Sequence, residues 1–152
     1  MIVMNSQFIL DARLEADSVF IADGELSQFR LMNDVRYPWL ILVPKVANAS
    51  EWIDLPARQQ QLLLSEINIA AKILREYFHC EKINIGALGN IVRQLHVHVI
   101  ARTTLDEAWP GPVWGQGKAQ AYSPNELKIL TDKLQRTLSD KPQGRLLAAP
   151  MQ

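Results

Sequence analysis

Two of the three histidines in this 152-residue chain, His96 and His98, stand two positions apart in the run "RQLHVHVIAR", Arg93 to Arg102. Side chains alternate faces along a strand, so Gln94, His96, His98 and Ile100 share one face and Leu95, Val97, Val99 and Ala101 the other. The two imidazoles would then stand ~6.6 Å apart along the strand. A buried polar ring without a partner costs about 1–3 kcal/mol, so a strand that needed only packing would carry Val or Ile at both positions. Three uses of the pair are open at this point. It can be a half-exposed polar face bonded to neighbours or water. It can be part of a metal site, which needs two more ligands, although His79 falls at a helix end with no reason to converge. Or it can be nucleophilic, one neutral imidazole attacking phosphorus or carbonyl carbon while the other supplies a proton or steadies developing charge.

The elements that must hold this strand can be read from periodicity. Upstream lie short β-like runs, "SVFIAD", "LSQFRLMND" and "WLILVPK", separated by the Asp23-Gly24 turn signal and by Pro38, with Pro44 in the last of them. They read as successive antiparallel strands. In "DLPARQQQLLLSEINIAAKILREYFH", Leu63, Ile67, Ala70, Leu74 and Tyr77 recur at helical spacing while Arg58, Glu66, Lys72 and Glu76 fall elsewhere, and Asp54 with Pro56 marks a start. Then come "KINIGAL" and "LHVHVIA", with Gly89-Asn90 between them suggesting a tight hairpin-type connection. "DEAWPGPVWGQGKAQAY" is a loop by composition. A last helix opens at Ser123, with Pro124 at its first position and Glu126 placed to close a capping box, and carries Leu127, Leu130, Leu134 and Leu138 on one face. The order predicts an α+β domain with an antiparallel sheet of about five strands, a long central helix and a C-terminal helix, as one unit over residues 1–152.

Composition narrows the function classes. A hydrophobic fraction of 48% with 21% charged residues is ordinary for a globular chain. Sixteen basic and sixteen acidic residues balance, so no global field favours nucleic acid or an anionic membrane, and any anion must be bound locally. The single cysteine, Cys80, favours a reducing compartment. The N-terminus "MIVMNSQFILDARLEAD" lacks a basic leader, and nowhere do ~18 apolar residues run together, so a cytoplasmic protein without a membrane span is expected.

The stretch "NIGALGNIVRQLHVHVIAR" resembles the signature of the histidine triad (HIT) family of nucleotidyl hydrolases and transferases, in particular a proteobacterial-type member with Gln in place of the first triad histidine. Asn84 and Gly86 match its Asn-x-Gly, Gly89 and Val92 its turn, and His96, His98, Val99 and Ile100 the end of its His-φ-His-φ-His-φ-φ, φ being apolar. "WLILVPK" and the long helix extend the likeness more loosely over roughly residues 8 to 102. The resemblance implies an antiparallel sheet with helices on one face, usually paired with a second copy into one continuous sheet. It also implies cleavage of a phosphoanhydride or phosphoramidate at the α-phosphate of a nucleotide, as in a dinucleoside polyphosphate hydrolase. His96 would form a covalent nucleotidyl-imidazole that water hydrolyses. His98 would contact phosphate oxygen and assist the leaving group. The scheme requires no metal or other cofactor.

The chain departs from the pattern at three places. Gln94 replaces the first histidine, whose backbone carbonyl holds the nucleophile's other nitrogen in the family; a backbone group survives that change. Asn90 stands for the usual Gln, and Ile91 for a Ser or Thr that would donate to phosphate. Asn84, the backbone N–H groups of Gly89 and Asn90, Arg93 or Arg102 are candidates to fill the gap, although alternation sends Arg93 away from the histidine face. By the same resemblance, Asn33 or Asp34 would take the ribose hydroxyls and Phe29, Leu31 or Met32 the base. Arg36, Tyr37, Trp39, Trp109 and Trp114 are candidates for stacking or for packing. The rival expectation is a nucleotide-binding module of the same fold with little turnover, because Gln94 and Ile91 weaken the site.

Overall fold

The computed structural model describes residues 7–140; both ends of the expected 1–152 unit, including the start on which the leader reading rests, lie outside the described residues. In chain order the elements are α1 (Ala12–Asp17), β1 (Ser18–Asp23), β2 (Ser27–Met32), β3 (Trp39–Pro44), α2 (Ala57–Tyr77), β4 (Lys82–Gly86), β5 (Val97–Arg102) and α3 (Pro124–Asp140). The five strands form one sheet in the order β1-β2-β3-β5-β4, and every neighbouring pair is antiparallel. This is the α+β architecture that the element order predicts.

Alternation divides the sheet into two faces. Leu40, Leu42, Leu95, Val97 and Val99 join Leu63, Ile67, Ala70 and Leu74 of α2 and Leu134 of α3 in the main core. Trp39, Ile41, Val43 and Ile100 point the other way, into a second cluster closed by Leu14 of α1 and by Val113. Pairing of Ile41 with His98 and of Trp39 with Ile100 sets the register that brings β3 beside the histidine strand. A slip of one residue would turn both imidazoles into the main core.

Two local expectations are corrected, and one element absent from the sequence reading is added. The connection from β4 to β5 is not a tight hairpin but spans residues 87–96, because the Leu95 N–H bonds to the Ala49 carbonyl at 3.0 Å instead of to β4. Residues 12–17, read from the sequence as no element, form α1, with the Asp11 carboxylate accepting from the Arg13 N–H at 2.8 Å. Glu66 is buried, not on the solvent face, and accepts from the Leu26 and Ser27 N–H groups at 2.8 and 3.3 Å, tying α2 to the β1–β2 turn. The last helix starts as read: the Ser123 hydroxyl donates to the Glu126 carboxylate, and the Glu126 N–H donates back to that hydroxyl. Among the described residues, no helix is long and apolar enough to cross a membrane.

Candidate functional site

His96 immediately precedes β5 and is 7% exposed. Its Nδ1 lies 2.7 Å from the backbone carbonyl of Gln94. A carbonyl only accepts, so Nδ1 carries a proton, and in the neutral ring it is Nε2 that has the lone pair. The backbone therefore fixes the ring in the tautomer that an attacking imidazole needs.

His98 is held the opposite way. On β5 it faces Ile41 across one strand pair and Gly86 across the other. The Trp39 indole N–H, which can only donate, points to His98 Nδ1 at 3.0 Å, so Nδ1 is the acceptor and Nε2 carries the proton. Burial, and then the neighbouring His96, push its pKa down to about 3. The ring sits among those of His96, Trp114 and Trp39, at centroid separations of 4.8, 5.3 and 5.5 Å. His98 is thus a neutral N–H donor beside the His96 ring. Gly86 makes room for Trp114 on this cluster, since a Cβ there would meet the indole at 3.2 Å.

Both imidazoles line a cleft of about 940 Å³. Gly89, with φ +70°, Asn90 and Ile91 form one wall, and Met32, Asn33 and Asp34 lie at another. Residues that the sequence reading did not single out also line it: Arg13, Leu14, Ala16 and Asp17 of α1. The Asp11 cap ahead of a buried Leu14 is the only local signal that would have found them.

Several predicted contacts are corrected. Asn84 does not line the cleft; its Oδ1 accepts from Arg102 at 2.8 Å. Arg102 is 1% exposed and cannot fill the phosphate gap: its fork is taken by both oxygens of Asp106 at 2.7 and 2.9 Å and by the Gly111 carbonyl. The Gln94 side chain turns away from His98, donating to the Ile9 carbonyl and accepting from the Asp11 N–H, both at 2.8 Å. Arg93 lies with it in a separate depression beside Asn48. Alternation sends Phe29 and Leu31 into the main core, and Tyr37 is fully buried with Arg36 and Arg102 over its ring, so of the proposed base contacts Met32, Trp39 and Trp114 reach the cleft. Trp109 sits against Arg102 instead.

Asp34 lines the cleft but its carboxylate is engaged. Burial alone would raise its pKa, yet the Arg36 guanidinium, at 2.9 and 2.8 Å, and the Arg36 and Gln120 N–H groups outweigh that and hold it below the usual range. Asn33 uses its carbonyl to accept from the Tyr122 N–H at 2.9 Å, so its side-chain NH₂ remains the donor it can offer the cleft. Among the described residues no group of three or more His, Cys, Asp or Glu is placed to hold a metal ion.

A five-stranded antiparallel sheet that displays alternate imidazoles in a cleft opposite its two long helices, α2 and α3, is the arrangement of a histidine triad protein. The chain belongs to the HIT domain family, whose model matches residues 13–105. Members generally bind nucleotides and act as hydrolases or transferases. Three solved histidine triad proteins are similar along most of their length. That of Sinorhizobium meliloti is 51% identical (TM-score 0.83; 86% of this chain, 96% of that one). That of Bradyrhizobium japonicum is 44% identical (0.83; 86% and 98%). That of Marinobacter aquaeolei is 42% identical (0.85; 88% and 97%). Among curated proteins none matches the chain.

Proposed function

We propose that this protein is a nucleotidyl hydrolase or transferase in which His96 attacks the α-phosphorus of a nucleotide. The observation that carries the reading is the Gln94 carbonyl on His96 Nδ1, which leaves the Nε2 lone pair facing the cleft side of a buried, pre-oriented ring. A bond forms from Nε2 to phosphorus while the bond from phosphorus to the bridging oxygen or nitrogen breaks, its electron pair departing with the second half of the substrate. Water then attacks phosphorus and loses a proton to solvent, and the nitrogen–phosphorus electrons return to His96, releasing the nucleoside monophosphate. The His98 Nε2–H and the backbone N–H groups at Gly89 and Asn90 are assigned to the phosphate oxygens. The free amide of Asn33 is assigned to the ribose hydroxyls, and Met32 to the base. Gln94 acts through its main chain, which is why the Gln-for-His variant keeps its nucleophile.

The functional unit on this reading is one HIT domain over residues 1–152, cytoplasmic and free of resident cofactor, working as a homodimer. Support for the pairing is that β4 forms an edge of the sheet and leaves Ile85 52% exposed on it. A second reading, binding with little turnover, draws on Ile91, which is 79% exposed in the cleft wall where a hydroxyl donor would stand.

Intact-mass measurement after exposure to a panel of nucleotides tests both. An acid-labile adduct of one nucleotidyl group, lost in His96→Ala and turned over repeatedly by the parent, is the expected result. A stable adduct that never turns over would favour the binding reading, and bound nucleotide with no adduct would overturn the nucleophile.

A further inference from the structure

The cleft around His96 and His98 needs a cation if it is to accept a multiply charged substrate, and on the proposed reading neither imidazole is that cation, since His96 attacks through its lone pair and His98 accepts from Trp39. Each ring spends its Nδ1 on a fixed partner, the Gln94 carbonyl or the Trp39 indole, and the indole, being a donor, leaves His98 no site for a second proton. Two arginines line the cleft. Arg36 is bound to both oxygens of Asp34, to Glu107 and to the Gln116 carbonyl. Arg13 is different: it is exposed, and among the described residues nothing forms an ion pair or hydrogen bond with its guanidinium.

The backbone around Arg13 explains how it reaches the cleft. The Gln94 amide clamps the chain at Ile9 and Asp11, so the segment entering α1 is fastened to the same residue whose carbonyl orients His96. At the other end of α1 the Asp17 carbonyl accepts from the Asn33 N–H at 3.0 Å. The helix therefore runs along the cleft from the nucleophile to the residue assigned to the ribose, a span of ~9 Å at 1.5 Å per residue. Arg13, two positions after the clamped Asp11, belongs to the nucleophile's end, and Asp17 to the ribose's.

We propose that Arg13, carried by the Gln94-clamped segment, is a specificity-determining residue that binds the phosphate oxygens of an anionic leaving group, so that the site selects phosphoanhydrides with a polyphosphate chain over phosphoramidates. The chemistry of His98 agrees. Expelling an amine requires a proton donor acidic enough to give up its proton, whereas a polyphosphate leaves as an anion and needs only positive charge and N–H groups around its oxygens. A neutral imidazole whose Nδ1 is already an acceptor meets the second need and not the first.

This inference rests on the nucleotide site proposed above, and its test is built on binding so that the two can fail separately. In a His96→Ala background, which cannot form the adduct, affinities for AMP and for a dinucleoside tetraphosphate are measured by calorimetry with Arg13 intact and with Arg13→Gln. The expected result is that Arg13→Gln weakens the tetraphosphate by about tenfold or more beyond any loss for AMP, the range for a charge-assisted bond. The tetraphosphate-to-AMP affinity ratio should also fall with added salt when Arg13 is present and respond less in Arg13→Gln. Equal losses for both ligands, or no loss, would overturn the role of Arg13 even if the adduct at His96 is found. Failure of both nucleotides to bind would overturn the site and this inference together, whereas intact selectivity with no adduct in the parent would sink only the nucleophile.

Discussion

The Trp39 indole N–H donates to Nδ1 of His98 at 3.0 Å, across the β3–β5 pair. One bond between two buried rings thus decides which nitrogen of His98 is left to donate, and makes a tryptophan of an inner strand part of the site's hydrogen-bond logic. Its counterpart is the Gln94 carbonyl on His96: the two neighbouring imidazoles hold opposite tautomers, one ready to attack and one ready to donate.

Replacing Trp39 by Phe keeps the ring and removes the donor. The expected outcome is mixed tautomers at His98 in nitrogen-resolved NMR, where the parent shows a single Nε2–H form. Adduct formation should slow about fivefold, corresponding to the ~1 kcal/mol of a neutral hydrogen bond. An unchanged His98 tautomer would mean that Trp39 does not set it.

Stability should fall on acidification because of His98. Its folded pKa, about 3, lies below the ordinary 6.5, so between those values the unfolded chain binds the extra proton. The contribution is complete above pH 6.5 and is lost as pH falls toward 3, at a limiting slope of ~1.4 kcal/mol per unit for one proton. Denaturant melts of the parent and of His98→Asn, which has no such proton to bind, should diverge progressively below pH 6. Parallel curves would refute the assignment.

Gln94→Ala should separate anchoring from chemistry. It deletes two side-chain bonds to the segment before α1, worth about 1–3 kcal/mol together, and leaves the carbonyl on His96 in place. Amide exchange at residues 9–14 should accelerate while the adduct at His96 still forms. Loss of the adduct with exchange unchanged would instead assign the Gln94 side chain to catalysis.

Arg102→Leu should be severe. The guanidinium and Asp106 are 2% and 7% exposed as side chains, and removing one partner strands the other's charge, at a cost of about 3–5 kcal/mol. Chemical denaturation measures it. Because Arg102 also holds Asn84 and the Gly111 carbonyl, the loop that leads to Trp114 should loosen, visible as broadening of the Trp114 indole signal.

The periodicities of this chain were enough to specify the sheet, α2, α3 and the two faces of the histidine strand, since a period of 2 or 3.6 is written directly in the order of apolar residues. Resemblance over Asn84 to Arg102 picked out His96 and His98. Glu66 escaped notice because a carboxylate on a helix reads as solvated until the turn whose N–H groups it accepts is brought against it. Asn84 and Arg102 are candidates in the sequence for a similar reason: Asn84 meets Arg102 only because β4 pairs with β5, and Asp106 reaches Arg102 only through the fold of the loop after β5, so sequence alone cannot show that these side chains are already engaged.

By itself, then, the sequence determined the chemical repertoire: two imidazoles on one face, glycine where a left-handed turn is needed at position 89, and an apolar reverse face to bury. Tertiary structure alone decided how that repertoire is used. It set the tautomer of each ring through Gln94 and Trp39, withdrew Arg102 into an ion pair, and laid the short helix bearing Arg13 along the cleft. Hydrogen-bond partners and charge neutralisation depend on distances of about 3 Å and on backbone directions, across strands for Trp39 and His98 and within a bent segment for Gln94 and His96 or Arg102 and Asp106, and only folding fixes them.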